Sequence, residues 1–175
     1  MNSLKIIIQA FYEICLLKRR PQDLPGSGVF FSMSAAAYTL SSFILALTYQ
    51  DMQKSLMVAF VDAGLTILIT YLLLLVIRKP ERNLQTGTAL LGTGTIFSLL
   101  ATPMYYLLAL PVAGQSGIPV ISFLVWVLIV WNIAVMAHIL KHALTVSFPM
   151  GILIALMYIF IVSIAIVNIA PKQPI

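Results

Sequence analysis

Residues 148–170 read FPMGILIALMYIFIVSIAIVNIA, a run without a single Asp, Glu, Lys or Arg. A hydrocarbon core about 30 Å thick takes roughly 20 helical residues to cross, so a run of this length and composition is a membrane-spanning helix. It is too long and too uniformly apolar for a barrel strand, which alternates polar and apolar positions, and a lone strand would leave its backbone groups unpaired in lipid. Four runs of the same kind lie upstream, at about 29–49, 55–77, 89–110 and 118–140. The expected fold is all-α: a polytopic bundle of five transmembrane helices forming a single membrane domain over residues 1–175.

Composition excludes most alternatives. Hydrophobic residues make up 61% of the chain and charged residues 9%, against roughly a quarter charged in a soluble domain. So few charges cannot cover a water-facing surface, which leaves no room for a separate soluble domain. The net charge of +5 does not point to nucleic acid, because the cations sit between apolar runs instead of forming a basic face interleaved with aromatics. Cys15 is the only cysteine, so no disulfide forms within the chain. Residues 1–17 read as mature protein: Gln9 and Glu13 interrupt the apolar stretch and no small-x-small cleavage site follows.

Lys and Arg set the orientation. Lys5, Lys18, Arg19, Arg20, Arg78, Lys79, Arg82 and Lys141 fall in the N-terminal segment and in the second and fourth connections, all on one side of a five-span chain. Only Lys54 and Lys172 fall on the other side. The positive-inside rule then places the N-terminus in the cytoplasm and the C-terminus opposite, with a bacterial inner membrane the expected setting. Before the first span, Leu4, Ile7, Ile8, Phe11, Tyr12 and Cys15 recur at helical spacing while Lys5, Gln9 and Glu13 line the other stripe. Residues 1–20 are therefore expected to include an amphipathic helix in the cytoplasmic interface, ended by Pro21 and Pro25. Gly26-Ser27-Gly28 turns the chain into the first span.

Small and hydroxyl residues mark the faces on which helices pack in lipid. Such stripes run through Ser55, Ala59, Asp62, Ala63, Thr66 and Thr70 in the second span, and through Thr88, Gly92, Thr95, Thr102, Tyr106 and Ala109 in the third. Gly151, Ala155, Tyr158 and Ala165 form another in the fifth. Trp126 and Trp131 lie inside the fourth span and are expected to pack there, not to form an interfacial belt.

Asp62 is the one acidic residue inside an apolar run, roughly 10 Å deep at 1.5 Å per residue. An ionisable group at that depth costs about 2.5–3.5 kcal/mol on insertion scales, so it should face the bundle or a water-filled cavity. It is either a proton or cation site, a hydrogen-bonded packing residue, or a group that a partner subunit helps to insert. Tyr106, Asn132 and Asn168 complete the candidate intramembrane polar site, with depth favouring Tyr106 or Asn168 as the partner of Asp62. Lys18, Arg19 and Arg20 are candidate contacts for anionic lipid headgroups, or a topology signal alone.

No other chemistry is indicated. His138 and His142 share a helix face, but two imidazoles are too few for a metal site and Asp62 lies toward the opposite membrane face. Gly92-Thr93-Gly94 lacks the strand–loop–helix setting of a phosphate loop, and no spacing of Ser, His and Asp forms a nucleophilic triad. Neither a catalytic residue nor a cofactor is expected.

Asp23-Leu24-Pro25-Gly26, just before the first span, resembles the Asp-Leu-x-Gly entry motif of Yip1-domain membrane proteins. Five spans, a cytoplasmic N-terminus and a very short tail after the last span resemble that family's plan over nearly the whole chain. The resemblance implies membrane organisation or trafficking through protein partners, with no catalytic residues. The expected function is thus a scaffold or accessory subunit in the bilayer, beside a membrane-protein partner or as a homo-oligomer. A small transporter or channel using Asp62 is the alternative.

Overall fold

The computed structural model describes residues 2–110 and 118–169, with side chains described from residue 8 to residue 168. The expected uncharged connection 111–117, the side chains of Leu4, Lys5 and Ile7, and Lys172 lie outside the described residues. The described residues form six helices: α1 (Asn2–Cys15), α2 (Gly28–Ala46), α3 (Met52–Val76), α4 (Asn83–Ala109), α5 (Ile118–Leu144) and α6 (Phe148–Ile169). Short 3-10 turns at Pro21–Asp23 and Pro80–Arg82 precede α2 and α4. Helices α2 to α6 are the five long and apolar enough to cross a membrane, as an integral membrane protein requires.

The helices outrun the apolar windows because hydropathy marks where lipid ends, not where the backbone stops being helical. The third span begins at Asn83 instead of 89, and the fourth continues to Leu144 instead of 140. These extra turns lie at the end of the bundle that carries most of the Lys and Arg, hereafter the basic end. Three helices stop there with a residue other than glycine in the left-handed region: Leu17 (φ 61°), Arg78 (φ 58°) and Thr145 (φ 58°). The reward is a closed C-terminus. Lys18 N–H donates to Glu13 O, Lys79 N–H to Leu74 O and Val146 N–H to Lys141 O, the six-to-one bond of a Schellman cap.

At the centre of the bundle is α4, packed against α1, α2, α3 and α5. Every residue from 86 to 93 is buried, and all but Leu90 and Leu91 carry small side chains, which lets neighbours close in from several sides. Its glycines receive aromatic rings. A Cβ added at Gly87 would meet the Phe31 ring at 2.6 Å, one at Gly94 would meet Tyr38 at 2.5 Å, and one at Gly92 would overlap Phe11. Gly92-Thr93-Gly94 is therefore a seat for rings from α1 and α2. On the other side of the bundle, Gly151 lets α6 approach the backbone of α5 at Ala137 O.

The small-residue stripes bury as expected on α3, where Ser55, Ala59, Ala63, Thr66 and Thr70 are all buried, and on α6 at Gly151, Ala155 and Tyr158. On α4 the stripe holds only in its first half. Thr88 and Gly92 are buried, but Tyr106 is 58% exposed and Ala109 is exposed too. Most of the threonines bond back to their own helix, Thr88 to Leu84 O, Thr95 to Leu91 O and Thr70 to Thr66 O. Their contribution to packing is small size with a satisfied hydroxyl. The helix α4 continues through Pro103.

The two tryptophans part company. Trp131 meets Phe97 edge-on at 5.1 Å and donates from Nε1 to Cys15 O at 2.8 Å, whereas Trp126 is two-thirds exposed and does not pack as expected. That bond pins the end of α1 to α5. The buried side of α1 is Ala10, Ile14 and Cys15 with Phe11 partly covered, while Ile8 and Tyr12 point outward. The expected single apolar stripe is thus two: one face meets α4 and α5, and a second, through Ile8, Tyr12 and Leu16, is left for lipid. Glu13, bonded to Gln9 at 2.9 Å and to Arg19 at 3.3 Å, lines the polar side.

Candidate functional site

Asp62 lies on α3, which starts at Met52 and not at 55, so the carboxylate is about 15 Å along the helix. The short connection between α2 and α3 makes them antiparallel neighbours, and it brings two hydroxyls of α2 to the carboxylate. Tyr38 Oη donates to Asp62 Oδ2 at 2.7 Å and Ser42 Oγ donates to the same oxygen at 2.8 Å. One turn along α3, Thr66 Oγ1 donates to the Asp62 backbone carbonyl at 2.8 Å and itself accepts the hydroxyl of Tyr158 from α6. Three helices are tied together by this cluster. Hydrogen bonds to an ionised or neutral carboxyl in lipid offset part of its insertion cost.

The partners are not those that depth suggested. Tyr106 is exposed on α4, and Asn168 is exposed on α6, its amide donating to Ile164 O at 2.8 Å. Neither is among the hydrogen-bond partners of Asp62. Tyr38 and Ser42 were legible as candidates: they stand one helical turn apart, so one face of α2 carries two hydroxyls. Their stripe resembles those noted on α3 and α4.

Beside this cluster the helices form a half-open cleft of about 220 Å³, lined from α2, α3, α4, α5 and α6. Tyr38, Thr66 and Tyr158 line it, whereas Asp62 does not. Asn132 of α5 and Ser98 of α4 also line the cleft. Of the four candidate polar residues, then, Asp62 is in the hydroxyl cluster, Asn132 is in the adjoining cleft, and Tyr106 and Asn168 are outside both.

At the basic end the segment between α1 and α2 folds back under the bundle. Gln22 Nε2 donates to His142 O at 2.6 Å, Gln85 Nε2 donates to Gln22 O and Leu24 O at 3.1 Å, and Arg82 Nη1 donates to Ala143 O at 3.1 Å. The bonds from Gln22 and Arg82 cap the C-terminus of α5, whose last carbonyls otherwise lack partners, while Gln85 ties α4 to the segment at Gln22 and Leu24. Within Asp23-Leu24-Pro25-Gly26, Asp23 accepts the Arg20 N–H at 3.2 Å and Leu24 is buried. His138 Nε2 lies 3.0 Å from Arg19 O and its ring meets that of His142 edge-on at 4.6 Å. Among the described residues no three His, Cys, Asp or Glu side chains gather as a metal site would require.

Of the basic triplet, Arg19 is paired with Glu13 at 3.3 Å, while Lys18 and Arg20 are exposed. Of the three candidate headgroup contacts, Lys18 and Arg20 are thus the exposed ones. Comparison of the chain with family models, with curated proteins and with solved structures yields no match. Fold and site define a class only: an all-helical bundle of membrane-crossing type, with a hydroxyl-bound acid beside an uncharged, half-open cleft.

Proposed function

We propose that this protein is a non-enzymatic integral membrane scaffold or accessory subunit, with its basic end in the cytoplasm and its plan resembling that of Yip1-domain proteins. One observation carries the reading: the acidic group inside the spans is engaged by the hydroxyls of Tyr38 and Ser42 and is not among the residues that line the adjoining cleft. A carboxylate that loads and releases a proton or cation needs a route from water. This one is used to join helices. Orientation rests on Lys and Arg, most of which stand at the basic end, where Lys18 and Arg20 are placed to meet anionic headgroups. The partner is another membrane protein or a second copy of the chain, bound within the bilayer.

The test is reconstitution of purified protein into liposomes with an entrapped pH-sensitive dye, alongside chemical cross-linking in native membranes. A scaffold gives no proton or cation flux that depends on Asp62, together with a cross-linked species of defined stoichiometry. Flux that is present in the wild type and absent in Asp62→Asn, with the fold intact, overturns the reading in favour of a small transporter. That second reading has its own support in the cleft lying one side chain away from Asp62.

A further inference from the structure

Three contacts fix the level of α1 and the chain that follows it, and all three lie inside the apolar runs of the spans. The Phe11 ring rests on Gly92, three residues inside the run that begins at 89, and Trp131 Nε1 reaches Cys15 O from nine residues inside the run that ends at 140. At 1.5 Å per residue those points are about 5 Å and about 14 Å into the hydrocarbon. His138 Nε2, 3.0 Å from Arg19 O, stands two residues inside the same run. From Cys15 the chain therefore descends along α5 to Gln22, whose amide meets His142 O at the basic end. It does so without helical structure, since α1 ends at Cys15. Leu16, Leu17, Lys18 and Arg20 are exposed on this descent, and the carbonyls of Leu16, Leu17 and Lys18 accept no hydrogen bond among the described residues.

Lipid cannot accommodate such a stretch. Irregular backbone occurs at membrane depth only where protein buries it or water reaches it, and this one is exposed. The side chains agree with the backbone. Gln9, Lys18 and Arg20 are exposed, and the Arg19 guanidinium turns back toward α1 to pair with Glu13 at 3.3 Å, the two side chains keeping 30% and 32% of their surface open. The outward face of α1 through Ile8, Tyr12 and Leu16 is apolar, so this flank asks for acyl chains and water at one level. We propose that the boundary between headgroups and hydrocarbon at the basic end dips along the flank formed by α1, α4 and α5, by about two helical turns or roughly 10 Å, thinning the bilayer locally beside the protein. Lying on the floor of that dip, α1 keeps Ile8 and Tyr12 on acyl chains and Gln9 and Glu13 at water. The flank of α3 asks for no dip, because Leu68 and Leu72 are exposed and apolar ahead of Arg78. The bilayer itself is thus the partner that this surface fits. The inference rests on the spans alone and is independent of the scaffolding role and of which side is cytoplasmic.

Nitroxide labels read the boundary directly. Leu16, next to the contact of Cys15 with Trp131, and Leu68, nine residues inside the run that ends at 77, both stand about 14 Å deep by residue count, and both are exposed. Leu16→Cys and Leu68→Cys are made singly in a Cys15→Ala background, labelled, and placed as the full chain in phospholipid nanodiscs. Collision rates with a water-soluble nickel chelate and with oxygen, which concentrates at the bilayer centre, are then compared. The label at Leu16→Cys should meet the chelate severalfold more often than the label at Leu68→Cys, where oxygen should dominate. Equal rates overturn the proposal in either case: oxygen dominant at both means that α1 lies in undeformed lipid, and nickel dominant at both means that the whole level lies outside the hydrocarbon. Low rates with both reagents at Leu16→Cys overturn it as well, because the flank is then covered by protein. Lys18→Cys against Leu72→Cys makes the same comparison nearer the basic end, and decides the matter should either deeper variant fail to fold.

Discussion

Tyr38 of α2 donates its hydroxyl to Asp62 of α3 at 2.7 Å, and the same ring lies over Gly94 of α4, where an added Cβ would stand 2.5 Å from it. One side chain thus satisfies the half-buried acid and fixes the distance between α2 and α4. The two roles can be separated by substitution, because Phe keeps the ring and removes the hydroxyl.

Asp62→Asn should leave the protein close to wild type, since an amide still accepts from Tyr38 and Ser42, whereas Asp62→Leu leaves both donors without an acceptor. The expected loss for Asp62→Leu is about 1–3 kcal/mol, the cost of stranding buried polar groups. Tyr38→Phe should lose about 1 kcal/mol or less, the range measured for single interhelical bonds in membranes. Unfolding in mixed micelles measures all three. Equal stability of the Asn and Leu variants would show that the hydroxyls do not matter to the fold.

Gly92→Ala should destabilise although alanine is the better helix former, because its methyl group would overlap the Phe11 ring. Overpacking costs about 1–3 kcal/mol, against roughly 1 kcal/mol gained in helix propensity in water. The pair Gly92→Ala with Phe11→Leu should recover much of the loss, which is a coupling that a double-mutant cycle reads directly. Additive effects would mean that α1 does not rest on α4 at this point.

The spans were legible from composition because lipid imposes a length and an apolar character on any helix that crosses it. What hydropathy could not supply was rotation. Asp62, Tyr106 and Asn168 have comparable depths by residue count, and depth is all that a count provides. Whether two such residues meet depends on which faces of α3, α4 and α6 turn together. That is decided by seats such as Gly87 under Phe31 and Gly94 under Tyr38, which a single sequence displays only as glycines in an apolar run. The same limit explains Trp126 and Trp131, five positions apart on α5 and facing lipid and bundle respectively. Helix α1 was visible as amphipathic, but its division into a bundle face and a lipid face needed α4 to be in place.

Leu17→Gly should stabilise the protein. Leu17 sits at φ 61° with its side chain 39% exposed, and a non-glycine residue in the left-handed region costs about 1–2 kcal/mol. Glycine removes that cost at the cap, less the entropy it adds to the unfolded chain. A net gain of about 0.5–1 kcal/mol in the unfolding midpoint assay is expected, and a loss would show that the Leu17 side chain holds α1 by contacts that outweigh its backbone strain.

Cys15 supplies the background for the topology measurement. It is buried at 2% exposure, and desolvation pushes its thiol up from 9.0 to about 11, so at pH 8 only about a thousandth is thiolate, the reactive form. The native thiol should therefore stay unmodified by a maleimide in intact cells and react once the protein is denatured, with its native rate rising as pH approaches 11. Against that silent background, single cysteines report the orientation. Glu81→Cys, at an exposed position between α3 and α4 at the basic end, should be protected from an impermeant maleimide until the cells are opened. Gln53→Cys, exposed in the first turn of α3 at the other end, should react in intact cells. The opposite pattern, with Glu81→Cys labelled and Gln53→Cys protected, would place the basic end outside and remove the basis for contacts between Lys18, Arg20 and cytoplasmic anionic lipids.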